Sequence, residues 1–167
     1  MTLQEAKLLH AYNSWATERI FQAVATLTPE QVNRDLKSSH GSIYGTLLHL
    51  VGGQKIWLSR WVGKPDASVL AASAAPTVES LKKVWEKVGL ETAQWLATMS
   101  DKRLQDSFTM TTTSGETYRH IFAQAFQHVV DHGTYHRGQI VTMLRQTGVT
   151  PPNTGMITFY RETAKLK

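Results

Sequence analysis

The sequence has no cysteine. Disulfides, a Cys-ligated zinc site and a Cys nucleophile are therefore excluded, and any thiol chemistry must use a thiol that the substrate brings. Long apolar runs are missing too: nothing approaches the roughly 18 to 20 residues that a membrane span requires. The opening stretch MTLQEAKLLHAY carries Glu5 and Lys7 where a signal peptide needs unbroken apolarity, so the expectation is a cytoplasmic protein with no membrane partner. No basic arm accompanies the net charge of +5. The densest groups are Lys82-Lys83 and Arg161 to Lys167, which reads as a solvated positive surface and not as a nucleic-acid interface. A Gly-rich phosphate loop, a nucleophile elbow, an internal repeat and a low-complexity tract are all lacking.

What is present suits one folded domain over residues 1–167. The chain is 41% hydrophobic, and its length buries a core without covalent staples. Four long segments have helical periodicity. The first opens on Thr2 with Glu5 as capping box, and keeps Leu9, Tyr12, Ala16, Ile20, Val24 and Leu27 in register until Thr28-Pro29. Thr28, Pro29 and Gln31 have the pattern of one short extra helix. The second long helix runs from Ser42 to Gly63 and is apolar over much of its circumference, with Gly45, Gly52 and Gly53 leaving room for a close neighbour.

Residues 63–76 read as a linker, long enough to cross the fold so that the second and third helices run parallel. Thr77 caps the third helix, marked by Leu81, Val84, Trp85, Val88, Trp95 and Met99. Between Asp101 and Ser114 the Thr-rich SFTMTTT predicts a short extended piece or hairpin. Ser114 is then expected to cap a fourth helix reaching Gln146 or Thr147, with Gly148 as its stop. The tail packs back through Met156, Ile157, Phe159 and Tyr160.

The chemistry sits in HGTYHRGQI. The predicted core stripe of the fourth helix runs Tyr118, Phe122, Ala125, Val129, His132, His136, Ile140, Met143. Two imidazoles on such a stripe are costly without partners. At i and i+4 they share one face and can meet at one atom, a metal ion, to which imidazole brings zinc, nickel, copper or iron. His49, amid small residues on the second helix, is the best third donor. Three histidines and an open position make a catalytic layout. His128 is the competitor, but successive i, i+4 positions drift by about 40°, so it diverges from His136 and reads as a pocket residue. His10, His40 and His120 read as surface or cap residues, and Asp131 and Arg137 as solvated helix face. Tyr12, Asn13, Gln54, Trp57 and His128 are candidates for the pocket wall, with core packing the stronger role for Tyr12 and Trp57. Gly133 stands where His-Glu-x-x-His proteases keep their general base, so that reaction is excluded.

These segments resemble the DinB-like (YfiT-like) metalloenzyme family: HVVDHGTYHRGQI its last helix, YNSWATERI its first, SIYGTLLHLVGGQKIWLSRW its second and GVTPPNTGMITFY its tail. The resemblance runs from about Leu3 to Arg161. It implies an all-α fold, a four-helix bundle with up-down-down-up topology, here with a short extended segment before the last helix. It also implies a homodimer and one divalent metal ion (zinc, nickel or iron) on His49, His132 and His136. Family members with known activity are transferases or isomerases that use low-molecular-weight thiols. The expected function is thus metal-dependent activation of such a thiol, with a small-molecule substrate. A metal-dependent hydrolase and a non-enzymatic metal-binding stress-response protein are the alternatives. Asp131 stands where asparagine is common in the family, and Gly155 where aspartate is.

Overall fold

The computed structural model describes residues 1–64, 69–112 and 114–163. These are mostly helical, in the order α1 (Leu3–Val24), α2 (Pro29–Asn33), α3 (Ile43–Trp61), α4 (Val78–Ala97), α5 (Asp101–Leu104), β1 (Ser107–Thr111), β2 (Thr117–Ile121), α6 (Phe122–Gln146) and α7 (Met156–Thr163). The four long helices pack pairwise: α1 and α3 each lie against both α4 and α6. No helix among the described residues is long and apolar enough to cross a membrane.

Local chemistry places most helix starts where the sequence predicts them. Thr2 and Thr28 form capping boxes with Glu5 and Gln31. Ser42 accepts from the Gly45 amide, and Thr77 from Ser80. Each satisfies amides that the first helical turn leaves without an internal partner. Gly63 (φ +70°) and Gly148 (φ +83°) take the left-handed conformation just past α3 and α6, which only glycine adopts without strain. Part of the expected linker, residues 65–68, lies outside the described residues. Its remainder buries Leu70 against α3 and makes one 3₁₀ turn at Ala72–Ala74.

Expectations for the last long helix and the tail are corrected. The last long helix starts at Phe122, not at Ser114. Residues 107–111 and 117–121 pair as an antiparallel hairpin, Phe108 opposite His120 and Met110 opposite Tyr118. Its turn is held by the Thr112 amide donating to the Glu116 carbonyl (2.8 Å), with Gly115 at φ +88°. Tyr118 therefore follows strand alternation and is exposed, so the helical stripe begins one turn later than expected. In the tail, Phe159 is buried while Ile157 faces solvent: α7 turns only one side to Tyr12 and Trp15.

A polar chain crosses the core between the four long helices. Arg137 on α6 is almost fully buried and donates from Nη1 to Asn13 Oδ1 (2.6 Å) and Thr17 Oγ1 (3.1 Å) on α1, and from Nη2 to Thr134 Oγ1 (2.9 Å). Asn13 donates to Gln54 on α3 (3.3 Å), and Gln54 donates to Thr92 on α4 (3.3 Å). Arg137 was expected on a solvated face. Gly133, one turn before it, is the reason it is not: a Cβ there would meet Asn13 Oδ1 at 2.6 Å and Arg137 Nη1 at 2.8 Å.

Asn13→Ala removes the nearest acceptor from a buried charge. It should lower unfolding stability by about 2–3 kcal/mol in urea denaturation. Exposed Gln4→Ala, on the same helix, should stay within about 0.5 kcal/mol of wild type.

Candidate metal centre

Four imidazoles gather where α3, α6 and the turn before α3 meet. His132 and His136, one turn apart on α6, have ring centroids 4.4 Å apart. The His49 ring on α3 is 4.9 Å from the first and 4.5 Å from the second. The Nε2 atoms of His49 and His132 approach to 2.9 Å. Two imidazole nitrogens that each bind one ion at about 2.1 Å are about 3 Å apart when they subtend a right angle, so the pair is already at chelating separation.

The backbone makes this approach possible. Gly53, one turn after His49, faces the His132 ring, and a Cβ there would lie 2.9 Å from Cε1. The glycine permissiveness read from the sequence thus serves an imidazole in this case. On the other side, the His136 Nδ1 is 2.8 Å from Gln139 Oε1. A carboxamide oxygen only accepts, so Nδ1 carries the proton and Nε2 keeps its lone pair for a ligand role. Gln139 in turn donates to Ser39 Oγ (3.3 Å).

His40 is the residue that sequence reasoning missed. Its sequence context predicts a surface or cap residue, but its ring stacks on that of His49 at 3.9 Å and 18°. The ligand nitrogens of His40, His49 and His136 all lie within 4.8 Å of one another. A left-handed Gly41 (φ +73°) and the Ser38–Gly41 bridge fold this turn onto α3. Its carbonyl sits so close to Gly45 that any side chain there would collide with it. The signal available in sequence was only this Gly45 beside the Ser42 cap.

The other histidines fall elsewhere. His128 is exposed, its ring 6.0 Å from that of His132 and 5.3 Å from Trp57, consistent with a pocket residue. His120 on β2 is half-buried against Trp57 and Phe108. His10 is half-buried, and burial pushes its imidazole below the ordinary range. Asp131 is exposed, as expected. Of the proposed wall residues, Asn13 and Gln54 belong to the buried polar chain, and Tyr12 packs on Phe159.

Burial, and then the neighbouring imidazoles, push His132 down to about 3 and His49 down to about 4. Burial also lowers His136, although its bond to Gln139 opposes the shift. The rings are therefore neutral near pH 7, with lone pairs available to an electrophile.

A DinB family model matches residues 2–165 of the chain. Protein DinB of Bacillus subtilis is 29% identical over 169 aligned residues, covering 94% of this chain and 95% of that protein. The crystal structure of a DinB-like protein from Bacillus cereus superposes with a TM-score of 0.71 at 19% identity, covering 91% of this chain and 97% of the other.

Two outcomes follow from this geometry. Histidines with depressed folded values take up protons first in the unfolded chain, at about pH 6.5. Their contribution to stability is present above that pH and is lost as pH falls through 4 towards 3. Urea unfolding of the metal-free protein should show that decline, and His132→Gln should flatten it. The glycines should differ in sign. Gly138 has open space where its Cβ would go, so Gly138→Ala should gain about 0.5–1 kcal/mol. Gly53→Ala should instead lose stability in thermal unfolding by displacing His132.

Proposed function

The chain belongs to the DinB family, and we propose that it is a metal-dependent enzyme that activates a low-molecular-weight thiol on one divalent transition ion. The ligands in this reading are His49, His132 and His136, and the ion is zinc, nickel or iron. The observation that carries it is the 2.9 Å approach of the His49 and His132 Nε2 atoms across two helices. Such an approach brings two lone-pair donors together, which is unfavourable unless a proton or a cation lies between them.

A bound ion would supply Lewis acidity that lowers the pKa of a coordinated thiol or water. The protein's own groups do the rest. Gln139 holds His136 in the tautomer whose Nε2 is free to bind. Gly53 admits the His132 ring, and the Ser39–Gln139 bond ties the His40 turn to α6. Gly133 leaves no carboxylate base after His132, which favours a thiol that becomes its own nucleophile over a water that needs one. The absence of cysteine requires that thiol to arrive with a substrate. The pairwise packing of the long helices supports a four-helix bundle of up-down-down-up topology. A cytoplasmic homodimer completes the reading, and light scattering at twice the monomer mass would test the dimer.

His40 favours a second reading. Its ligand nitrogen groups with those of His49 and His136, a set that does not include His132, so His40 offers the ion a further imidazole; an ion enclosed by protein ligands suits a non-enzymatic metal-binding protein. Elemental analysis after zinc or nickel loading separates the cases. Near-stoichiometric metal is expected in the wild type, with loss in His49→Ala and His132→Ala. Retention in His40→Ala supports the open site, and loss there the closed one. Wild-type protein that stays empty after loading overturns both.

A further inference from the structure

Beside the histidine cluster, α3, α6 and the hairpin form an open cleft of about 610 Å³. Trp57, Arg60, Tyr118, His120, Gln124 and His128 line it, and no carboxylate is among its lining residues. Arg60 lies over the Trp57 ring at 4.9 Å and forms no ion pair among the described residues. Burial lowers its guanidinium from the ordinary range, a sign that water solvates it incompletely. The His120 ring lies edge-on to Trp57, with centroids 6.1 Å apart. The cleft therefore offers a guanidinium, two imidazoles, an indole face and a carboxamide, with no carboxylate among its lining residues to balance the positive charge. That composition is complementary to an anion attached to a flat or apolar stem.

Position ties the cleft to the metal centre. His128 is one turn before His132 on α6, with their rings 6.0 Å apart. Trp57 is one turn after Gly53, the residue that faces His132. Arg60 stands about three turns beyond His49 on nearly the same face of α3, about 16 Å further along the axis. The Arg60 guanidinium lies over Trp57, about one turn nearer His49 in the helix.

We propose that this cleft seats the negatively charged end of a small, elongated substrate whose thiol lies at the histidine cluster. The assignment of the thiol end rests on the function proposed above; the anion site rests on the cleft alone. A carboxylate on Arg60 makes charge-assisted hydrogen bonds in a partly dry site, while His120 and His128 add ring N–H donors. The substrate class is a low-molecular-weight thiol that carries a carboxylate some way from its sulfur.

The test compares 6-mercaptohexanoate with 6-mercaptohexanol on the cobalt-loaded protein, reading the thiolate-to-cobalt absorption band. The acid should bind about tenfold or more tightly than the alcohol, the effect of one charge-assisted contact. Arg60→Gln should abolish that advantage while leaving mercaptoethanol binding unchanged. Equal binding of acid and alcohol, or an advantage that survives in Arg60→Gln, overturns the proposal. A second arm uses metal-free protein with hexanoate and hexanamide, followed by the His120 and His128 ring protons in NMR. Shifts with the acid alone support the anion site, and their absence overturns it. Failure to take up cobalt, with the hexanoate shifts intact, removes the thiol end and the function proposed above but leaves the anion cleft standing.

Discussion

The arrangement depends on a positive charge buried between helices without a carboxylate to neutralise it. Among the described residues, Arg137 forms no ion pair; its guanidinium is held by Asn13, Thr17 and Thr134 and lies over the Tyr12 ring at 5.3 Å. Neutral oxygens are weak compensation for a desolvated charge, so the geometry tolerates little displacement. One consequence is rotational. His136 precedes Arg137, so fixing the guanidinium towards α1 fixes the direction in which the His132–His136 pair emerges from α6. A second consequence is axial. The chain Arg137–Asn13–Gln54–Thr92 links α6, α1, α3 and α4, and Gln54 lies little more than one turn beyond His49. The polar core therefore sets the register that lets His49 meet His132.

Charge at the centre is of one sign or absent. Burial first, and the neighbouring imidazoles after it, depress His49 and His132, so this cluster resists positive charge on its own rings. A dication added there would leave the site cationic, because neutral histidines, unlike carboxylates, cancel none of its charge. Arg137 on the α1 side and Arg60 in the adjoining cleft extend the same sign. Such a field would favour an anion over its protonated form.

Features fixed by short stretches of chain were legible in the sequence. The caps at Thr2, Thr28 and Thr77 depend on residues three positions apart, and the structure has these three but not the one expected at Ser114. His132 and His136 on one face follow from helix geometry alone. The start of the last helix was misread because Tyr118 and Phe122 fit helical spacing, while the strand pairing that decides the matter joins residues across a turn. His40 was illegible because its position depends on the fold of the turn before α3, which brings it over His49. Arg137 was misread for a different reason: a long charged side chain is ordinarily solvated. The available clue lay on another helix, where Asn13 and Thr17 interrupt the apolar stripe one turn apart.

Glycine use shows how local stability and the site are traded. Helix propensity alone treats every helical glycine as a loss of about 1 kcal/mol relative to alanine. Space distinguishes them. Gly89 and Gly138 face nothing within 4 Å, so they are ordinary weak points. In α3, Gly45 faces the His40 carbonyl, Gly52 faces Leu70 and Gly53 faces the His132 ring. Gly133 on α6 makes room for the Arg137–Asn13 contact. Alanine at Gly45, Gly53 or Gly133 would gain propensity and displace a member of the histidine cluster or the charge that orients it. The least helix-forming residues of α3 and α6 thus include those that let the two helices present their imidazoles to one another.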